Sequence, residues 1–264
     1  MTTLEGDLDM RPALSTILMI CLLLVPWKAS AIFDSGSDGS DGSFTPVSNT
    51  VVDLGLAGSG PGSGTYDPDL WAVVFNFTDV TIPAGVTITF ANHPSGAPVV
   101  WLVSGDVTVE GTINISGQPH SNPNSPGPGG FAGGSTSIRT RGFGPGGGGF
   151  PISFRGSGAS YGGYGQSVSG SSRFPPYGNE QILPLIGGSG GAPAGGAVSG
   201  GIGGGAILFA AAGTLTVIGP IVANGGNAKS SGSYGSGAGS GGGVRLLATH
   251  LEGNGSISAS GGAA

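Results

Sequence analysis

The sequence predicts an all-β fold: a stacked solenoid of few rungs with long Gly-rich insertions. Three observations predict it. Residues 99–118 (VVWLVSGDVTVEGTINISGQ) read as strand, turn, alternating strand, Gly, second alternating strand and Gly turn. The same plan returns at residues 207–226 and, worn, at 244–262. Glycines and apolar positions also keep register together. A shift of 108 positions lays Gly105, Gly111 and Gly117 on Gly213, Gly219 and Gly225. It also lays Val107, Val109, Ile113 and Ile115 on Leu215, Val217, Ile221 and Ala223. Period-two alternation puts these residues on one face, and that face must be buried. One rung cannot bury its face alone, but a stack makes a continuous core. The alternative is a β-sandwich whose strands alternate for the usual reason.

Taken in order, residues 10–31 read as a secretory signal. Arg11 is the positive end, 13–25 the apolar core, and Ala29-Ser30-Ala31 a small-x-small cleavage site. The acidic stretch before it does not suit a signal, which predicts that Met10 is the start or that residues 1–9 have no role. The apolar run is too short to span a bilayer comfortably. Cys21 follows Ile20 rather than a small residue, which disfavours a lipid anchor. Cleavage leaves no cysteine, and so no disulfide and no thiolate chemistry.

Residues 32–70 form an acidic Gly/Ser/Asp leader, in which 51–56 is a short strand and a candidate N-terminal cover. The run DSGSDGSDG reads as a solvated linker. Oxygen ligands with Gly between them also suit calcium, which makes Asp34, Asp38 and Asp41 candidate metal ligands. Their spacing matches neither the EF-hand loop nor the nonapeptide calcium repeat. No other cofactor is expected.

Residues 71–77 open the first rung. In 79–89, Val80, Ile82, Val86 and Ile88 match Val107, Val109, Ile113 and Ile115 after a shift of 27. His93, in the turn cluster 92–97, reads as a surface residue. Trp101 falls at the place of Phe209 and reads as a core or cap aromatic, or as a platform for a sugar. Residues 118–205 interrupt the stack with Gly, Ser and Pro, scattered aromatics and four arginines: Arg139, Arg141, Arg155 and Arg173. Flexible linkers lack aromatics, so the insertion is expected to fold back on the stack through its rings. Residues 181–186 (QILPLI) are expected to dock. Arginine beside aromatics suits a carbohydrate face, with Arg139, Arg141, Tyr161, Tyr164 and Trp101 as its candidates, or else cation–π glue for the loop. A second Gly-rich loop, 225–243, precedes the last rung. The chain ends directly after that rung without a polar cap, as a fragment would.

Composition narrows the function. Glycine supplies 58 of 264 residues, far above the usual ~7 %, without a collagen period. Eight basic residues against fourteen acidic ones leave no basic stripe for a nucleic acid.

The segments DVTIPAGVTITF, VVWLVSGDVTVEGTINISG and GGGAILFAAAGTLTVIGPIVANGG resemble secreted bacterial right-handed parallel β-helix proteins of the pectin-lyase-like kind. With the GSDGSDG start, the chain is similar to Gly-rich exported members of that group. The resemblance implies a right-handed coil over about 70–262, excluding much of the insertion. Lyases and hydrolases on this fold use clustered Asp, or Asp with Arg or Lys. Here Asp106 and Glu110 are the only acids of the second rung, and nothing acidic matches them in the third. The Asn-Thr-Asp, Asp-Asp and Gly-His-Gly signatures are absent. The expected function is therefore an exported, non-enzymatic, adhesin-like structural protein of the surface or extracellular matrix. Extracellular polysaccharide or surface components are its expected partners, with no membrane span after signal cleavage. The alternative is a carbohydrate-binding or polysaccharide-degrading module, for which Asp106, Glu110, Arg245 and His250 are the only rung groups. An ice-binding threonine ladder has only Thr108 and Thr216 in register.

Overall fold

The computed structural model describes residues 33–117, 125–135, 141–149, 155–167, 174–195 and 198–264. The signal segment 10–31, Arg139, Phe150, Phe154 and Arg173 lie outside them. Residues 33–264 form one compact unit. The strands are β1 (Gly42–Phe44), β2 (Thr50–Asp53), β3 (Thr65–Asp67), β4 (Ala72–Ile82), β5 (Thr87–Ala91), β6 (Val99–Val103) and β7 (Val107–Val109). There follow β8 (Thr112–Asn114), β9 (Ala206–Val217), β10 (Ile221–Val222), β11 (Ser230–Ser231), β12 (Tyr234–Gly235), β13 (Gly243–Glu252) and β14 (Ile257–Ser258). The described residues contain no α-helix and one 3-10 turn, Leu54–Leu56.

The fold is all-β with parallel strands, as the repeat predicts. One sheet runs β1-β4-β6-β9-β13, with β7 between β4 and β9, and a second runs β2-β5-β8-β10-β14. Both are parallel throughout, except that β3 joins β4 antiparallel. Each of five chain passages gives a strand to each sheet. The antiparallel sandwich is thereby excluded. Val107 faces Leu215, Val109 faces Val217 and Ile113 faces Ile221, as the 108-residue shift requires. Trp101 faces Phe209, and Ile221 faces Ile257.

One register differs from the sequence reading. The shift of 27 holds for Val80 against Val107 and Ile82 against Val109, but Ile88 then faces Ile113 rather than Ile115. The corner after Ile82 carries two more residues than the one after Val109, closed by the Val86 N–H donating to the Pro83 carbonyl (3.1 Å). A two-residue slip keeps every side chain on its own face, so alternation alone cannot reveal it.

The core lies between the sheets. Phe75, Trp101 and Phe209 stack in one ladder, and Ile88, Ile113 and Ile221 in another, all fully buried. Each such side chain contributes about 1.5–3 kcal/mol by leaving water. The Trp101 ring lies edge-on to Phe209 (5.1 Å), Phe44 and Phe77 (5.5 Å each).

The run 34–42 is not a solvated linker, and the short strand expected at 51–56 is present as β2. β1 and β2 pair with β4 and β5 as the first passage of both sheets, and Leu54 is fully buried beneath it. Residues 33–41 run across the edges of the passages as a strap. Phe33 N–H donates to Thr249 Oγ1 of β13 (3.0 Å), and Ser37 Oγ donates to the Phe77 carbonyl of β4 (2.8 Å).

The Gly-rich insertion does not interrupt the stack either; it extends it. Residues 127–134, 142–148, 155–160, 187–192, 200–205 and 237–243 are segments joined by backbone hydrogen bonds, and 127–130 and 144–147 also close turns on themselves. The bonds recur every third residue. Gly200, Gly203 and Ala206 donate to Gly134, Phe131 and Pro128, while Gly201 and Gly204 donate to Gly237 and Ser240. Three residues per turn is the repeat of a polyproline-II helix, which has no internal hydrogen bonds and turns its N–H groups outward to neighbours. Residues 187–192 bond to all five of the other segments. Glycine is required because the backbones touch. A Cβ on Gly203 would lie 1.8 Å from the Gly188 carbonyl oxygen, and one on Gly200 1.9 Å from that of Gly191. The lattice is continuous with the strand ends, through Gly205 N–H to the Ile115 carbonyl and Gly242 N–H to the Ala223 carbonyl (2.8 Å each).

Candidate functional site: an aromatic cleft at the glycine lattice

The lattice holds its few side chains by hydroxyl groups. Tyr161 Oη donates to the Ile186 carbonyl (3.0 Å) and Tyr177 Oη to the Gly187 carbonyl (2.6 Å). The two rings meet edge to face at 4.9 Å. Ser189 Oγ donates to Tyr177 Oη (3.0 Å) and accepts from Gly146 N–H (3.0 Å), while Ser240 Oγ accepts from Ser189 N–H (2.8 Å). Burial pushes the Tyr177 hydroxyl far above the ordinary tyrosine range, against the opposing hydrogen bonds of Ser189 and Ser240; burial raises Tyr161 as well. These tyrosines are the rings through which the insertion docks, although by their hydroxyls onto the lattice. Phe143 and Tyr164 remain exposed. Docking of 181–186 is partial: Ile182, Leu185 and Ile186 are half-buried, and Leu183 is exposed.

Beside this cluster opens a cleft of about 790 Å³. Loop 161–166 and the β11–β12 hairpin line it, with Arg155, Gly158, Ala159, Ala238 and the terminal Ala264 among its lining. Both walls are tied at the base. Gly158 N–H donates to the Gln166 carbonyl (2.9 Å), and Gly165 N–H donates to Ser160 Oγ (2.9 Å). Gly156 N–H donates to the Gly235 carbonyl (2.8 Å), which fixes the hairpin against the Arg155 segment. Tyr161, Tyr164 and Tyr234 bring three rings to this cleft, together with Gln166 and Ser233. Sequence reasoning found Tyr161 and Tyr164 but missed Tyr234 and Gln166. The isolated tyrosine of the hairpin was their one visible signal.

The remaining candidates lie elsewhere. Trp101 is wholly buried, so its position serves the core and not a sugar arriving from solvent. The Arg141 guanidinium lies over the Phe174 ring at 4.8 Å, the arrangement expected of glue within the loop. Arg139 is outside the described residues. The Asp34 and Asp38 carboxylates accept from Gly36 and Ser40 N–H (2.9 Å each). Hydrogen bonds from the Ser40 side chain and backbone hold Asp38 below the usual carboxylate range. Asp41 is spent more fully: Oδ1 accepts from Gly62 (2.8 Å) and Gly64 (3.2 Å), and Oδ2 accepts from Asn76 (2.7 Å). The three aspartates thus brace turns, and among the described residues no three His, Cys, Asp or Glu side chains are grouped to hold a metal.

On the rungs, Asp79 Oδ1 accepts from Asp106 N–H (3.1 Å) and Asp106 Oδ1 from Thr214 N–H (2.7 Å), so these acids join successive passages. His250 faces Thr214, and Arg245, five positions before it on β13, faces Leu208. The threonine ladder gains Thr81 beside Thr108 and Thr216, then meets Glu252. His93 stacks on Tyr66 at 4.2 Å, and Trp71 Nε1 donates to the Ser95 carbonyl nearby (3.2 Å). Among the described residues no helix is long and apolar enough to cross a membrane. No protein-family model matches the chain, and no curated protein or solved structure matches it.

Proposed function

We propose that this chain is an exported, non-enzymatic structural protein of the cell surface or extracellular matrix, built as a right-handed parallel β-helix akin to the pectin-lyase-like proteins. The observation that carries the reading is the use made of its acids. Asp79 and Asp106 accept backbone N–H groups of neighbouring passages, and Asp41 accepts three backbone N–H groups, that of Asn76 in the neighbouring passage among them. General acid–base cleavage needs two titratable groups within reach of one bond, and these carboxylates are turned to holding the stack together. Export is supported by the signal-like residues 10–31. The parallel pairing of the five passages in two sheets supports the β-helix reading.

The test is to incubate the purified full chain with a panel of polysaccharides and to assay for new reducing ends and unsaturated products. No product above the heat-treated control is expected; reproducible release of either overturns the reading. N-terminal sequencing of protein recovered from the culture fluid or cell surface is expected to begin at Ile32. Retention of Met1 on cytoplasmic material overturns export.

A further inference from the structure

We propose that the free edge of strand β13 pairs antiparallel with β13 of a second copy of this chain, forming a closed two-fold dimer. This goes beyond the structural role, which a monomer fills equally. The sheet order ends at β13, which pairs with β9 along one edge. The bonding pattern of the stack shows what the other edge offers. In earlier passages inward-facing residues donate their N–H groups to the passage that follows: Val73 to Pro98 (2.9 Å), Ile113 to Pro220 (3.0 Å) and Ile221 to Ser256 (2.9 Å). Gly243 N–H, one residue before inward-facing Val244, donates back to Gly205 (3.0 Å). By the same alternation Val244, Leu246, Ala248 and Leu251 turn their N–H groups to the free edge. Such a row is a template for another strand. The interior ladders are also uncapped on this side. Leu251 and Ile257 stand in line with buried Leu215 and Ile221, yet they are 61 % and 51 % exposed.

Charge selects the partner. Arg245 faces Leu208 and Glu252 faces Thr216, so neither opposes a charge across β9. They lie seven residues apart, which regular alternation would put on opposite faces. The irregular register between Ala248 and His250 shifts the alternation by one, so both side chains face outward. Two copies of β13 with Leu246 of each opposite Leu251 of the other match inward side chains with inward ones. The same offset sets Arg245 of each copy opposite Glu252 of the other. Moving the pairing by two residues, the next offset that keeps the faces together, sets Arg245 opposite His250 or Glu252 opposite Leu247 and loses both contacts. Arg245 and Glu252 turn their own N–H groups back to β9, so they form a non-hydrogen-bonded pair, the kind whose side chains approach most closely.

The same geometry closes the assembly at two copies. A two-fold pairing uses the edge of each partner and leaves none to continue. Head-to-tail stacking would instead seat β13 on the first passage of the next copy. That passage offers three residues in β1, in irregular register with β4, and four in β2, against ten in β13. Short, irregular edge strands are an ordinary means of refusing such pairing.

Sedimentation velocity of the full chain across micromolar concentrations is expected to show a monomer–dimer equilibrium with no larger species. Arg245→Glu sets two Glu–Glu pairs in the dimer and is expected to weaken it about tenfold or more. Glu252→Arg, with two Arg–Arg pairs, should do the same. Combining the two substitutions restores opposite charges in the same register and should bring the dissociation constant back to within about threefold of wild type. Neither side chain is buried, and unfolding midpoints measured on dilute monomer establish that the variants fold. A monomer throughout, whether β13 is bare or covered by some other segment, overturns the proposal. So does an open-ended polymer, and so does a dimer indifferent to Arg245→Glu. A double variant no tighter than the single ones overturns it as well.

Discussion

Replacing Gly203 with alanine tests the glycine lattice at one atom. The added Cβ would sit 1.8 Å from the Gly188 carbonyl oxygen, with the Gly188 carbonyl carbon at 2.4 Å. A carbon and a carbonyl oxygen normally approach no closer than about 3.3 Å, so the segments must part by about 1.5 Å. The obstacle is backbone, which has no rotamer by which to step aside. Two bonds cross that seam: Gly188 N–H to the Gly204 carbonyl and Gly191 N–H to the Gly201 carbonyl (2.8 Å each). Leaving buried donors without acceptors costs about 1–3 kcal/mol each, so their loss amounts to roughly 2–6 kcal/mol. A domain of ordinary stability has about 5–15 kcal/mol in total. Gly162 supplies the control. It is exposed, with nothing within 4 Å of an added Cβ, and alanine there is expected to be neutral or stabilising by up to about 1 kcal/mol through the unfolded chain. Urea unfolding followed by tryptophan emission reads both, since Trp101 is wholly buried. The two readings of the insertion differ in sign. A loop gains from Gly203→Ala, and a lattice loses. A Gly203→Ala protein within about 1 kcal/mol of wild type, or above it, refutes the lattice.

Asp41→Ala removes the acceptor of three backbone N–H groups and is expected to cost about 2–4 kcal/mol in the same urea assay; a change below 0.5 kcal/mol would show that the carboxylate braces nothing. Because these oxygens are already engaged, millimolar calcium or a chelator should leave the thermal midpoint unchanged; a calcium-dependent rise would restore the metal reading of Asp34, Asp38 and Asp41. Tyr177, raised by burial, ionises more readily in the unfolded chain than in the folded one. Its contribution is therefore complete below the ordinary tyrosine value of 10.0 and is lost as pH rises above it. Stability should fall above about pH 10, and less steeply in Tyr177→Phe; identical slopes in the two proteins would contradict the burial argument.

The rungs were legible because buried alternating residues leave a period in the sequence. Val107, Val109 and Ile113 announce their partners 108 positions away. The corner after Ile82 escaped because a slip of two preserves the alternation. Of the leader's strands, β2 falls on the short strand expected at 51–56, whereas β1, with three residues, is too short to show a period. The lattice left no apolar pattern at all. Its order lies in backbone groups spaced by three, and the only residue that records them is glycine, which turns and linkers use equally. The cleft was half legible for a related reason. Tyr161 and Tyr164 stand in an aromatic-bearing stretch, whereas Tyr234 reaches the same hollow from a hairpin some seventy residues later.

The central strand of the lattice, 187–192, completes its bonds only with segments that span 127 to 243. Its neighbours are thus distant in sequence on both sides, and many loops must close before any of those contacts forms. Such a topology folds slowly and late, after most of the chain has been released. The same interlocking opposes piecemeal opening, because freeing one segment disturbs five others. For a protein without disulfides, that turns a glycine-rich stretch into a source of kinetic persistence rather than of flexibility.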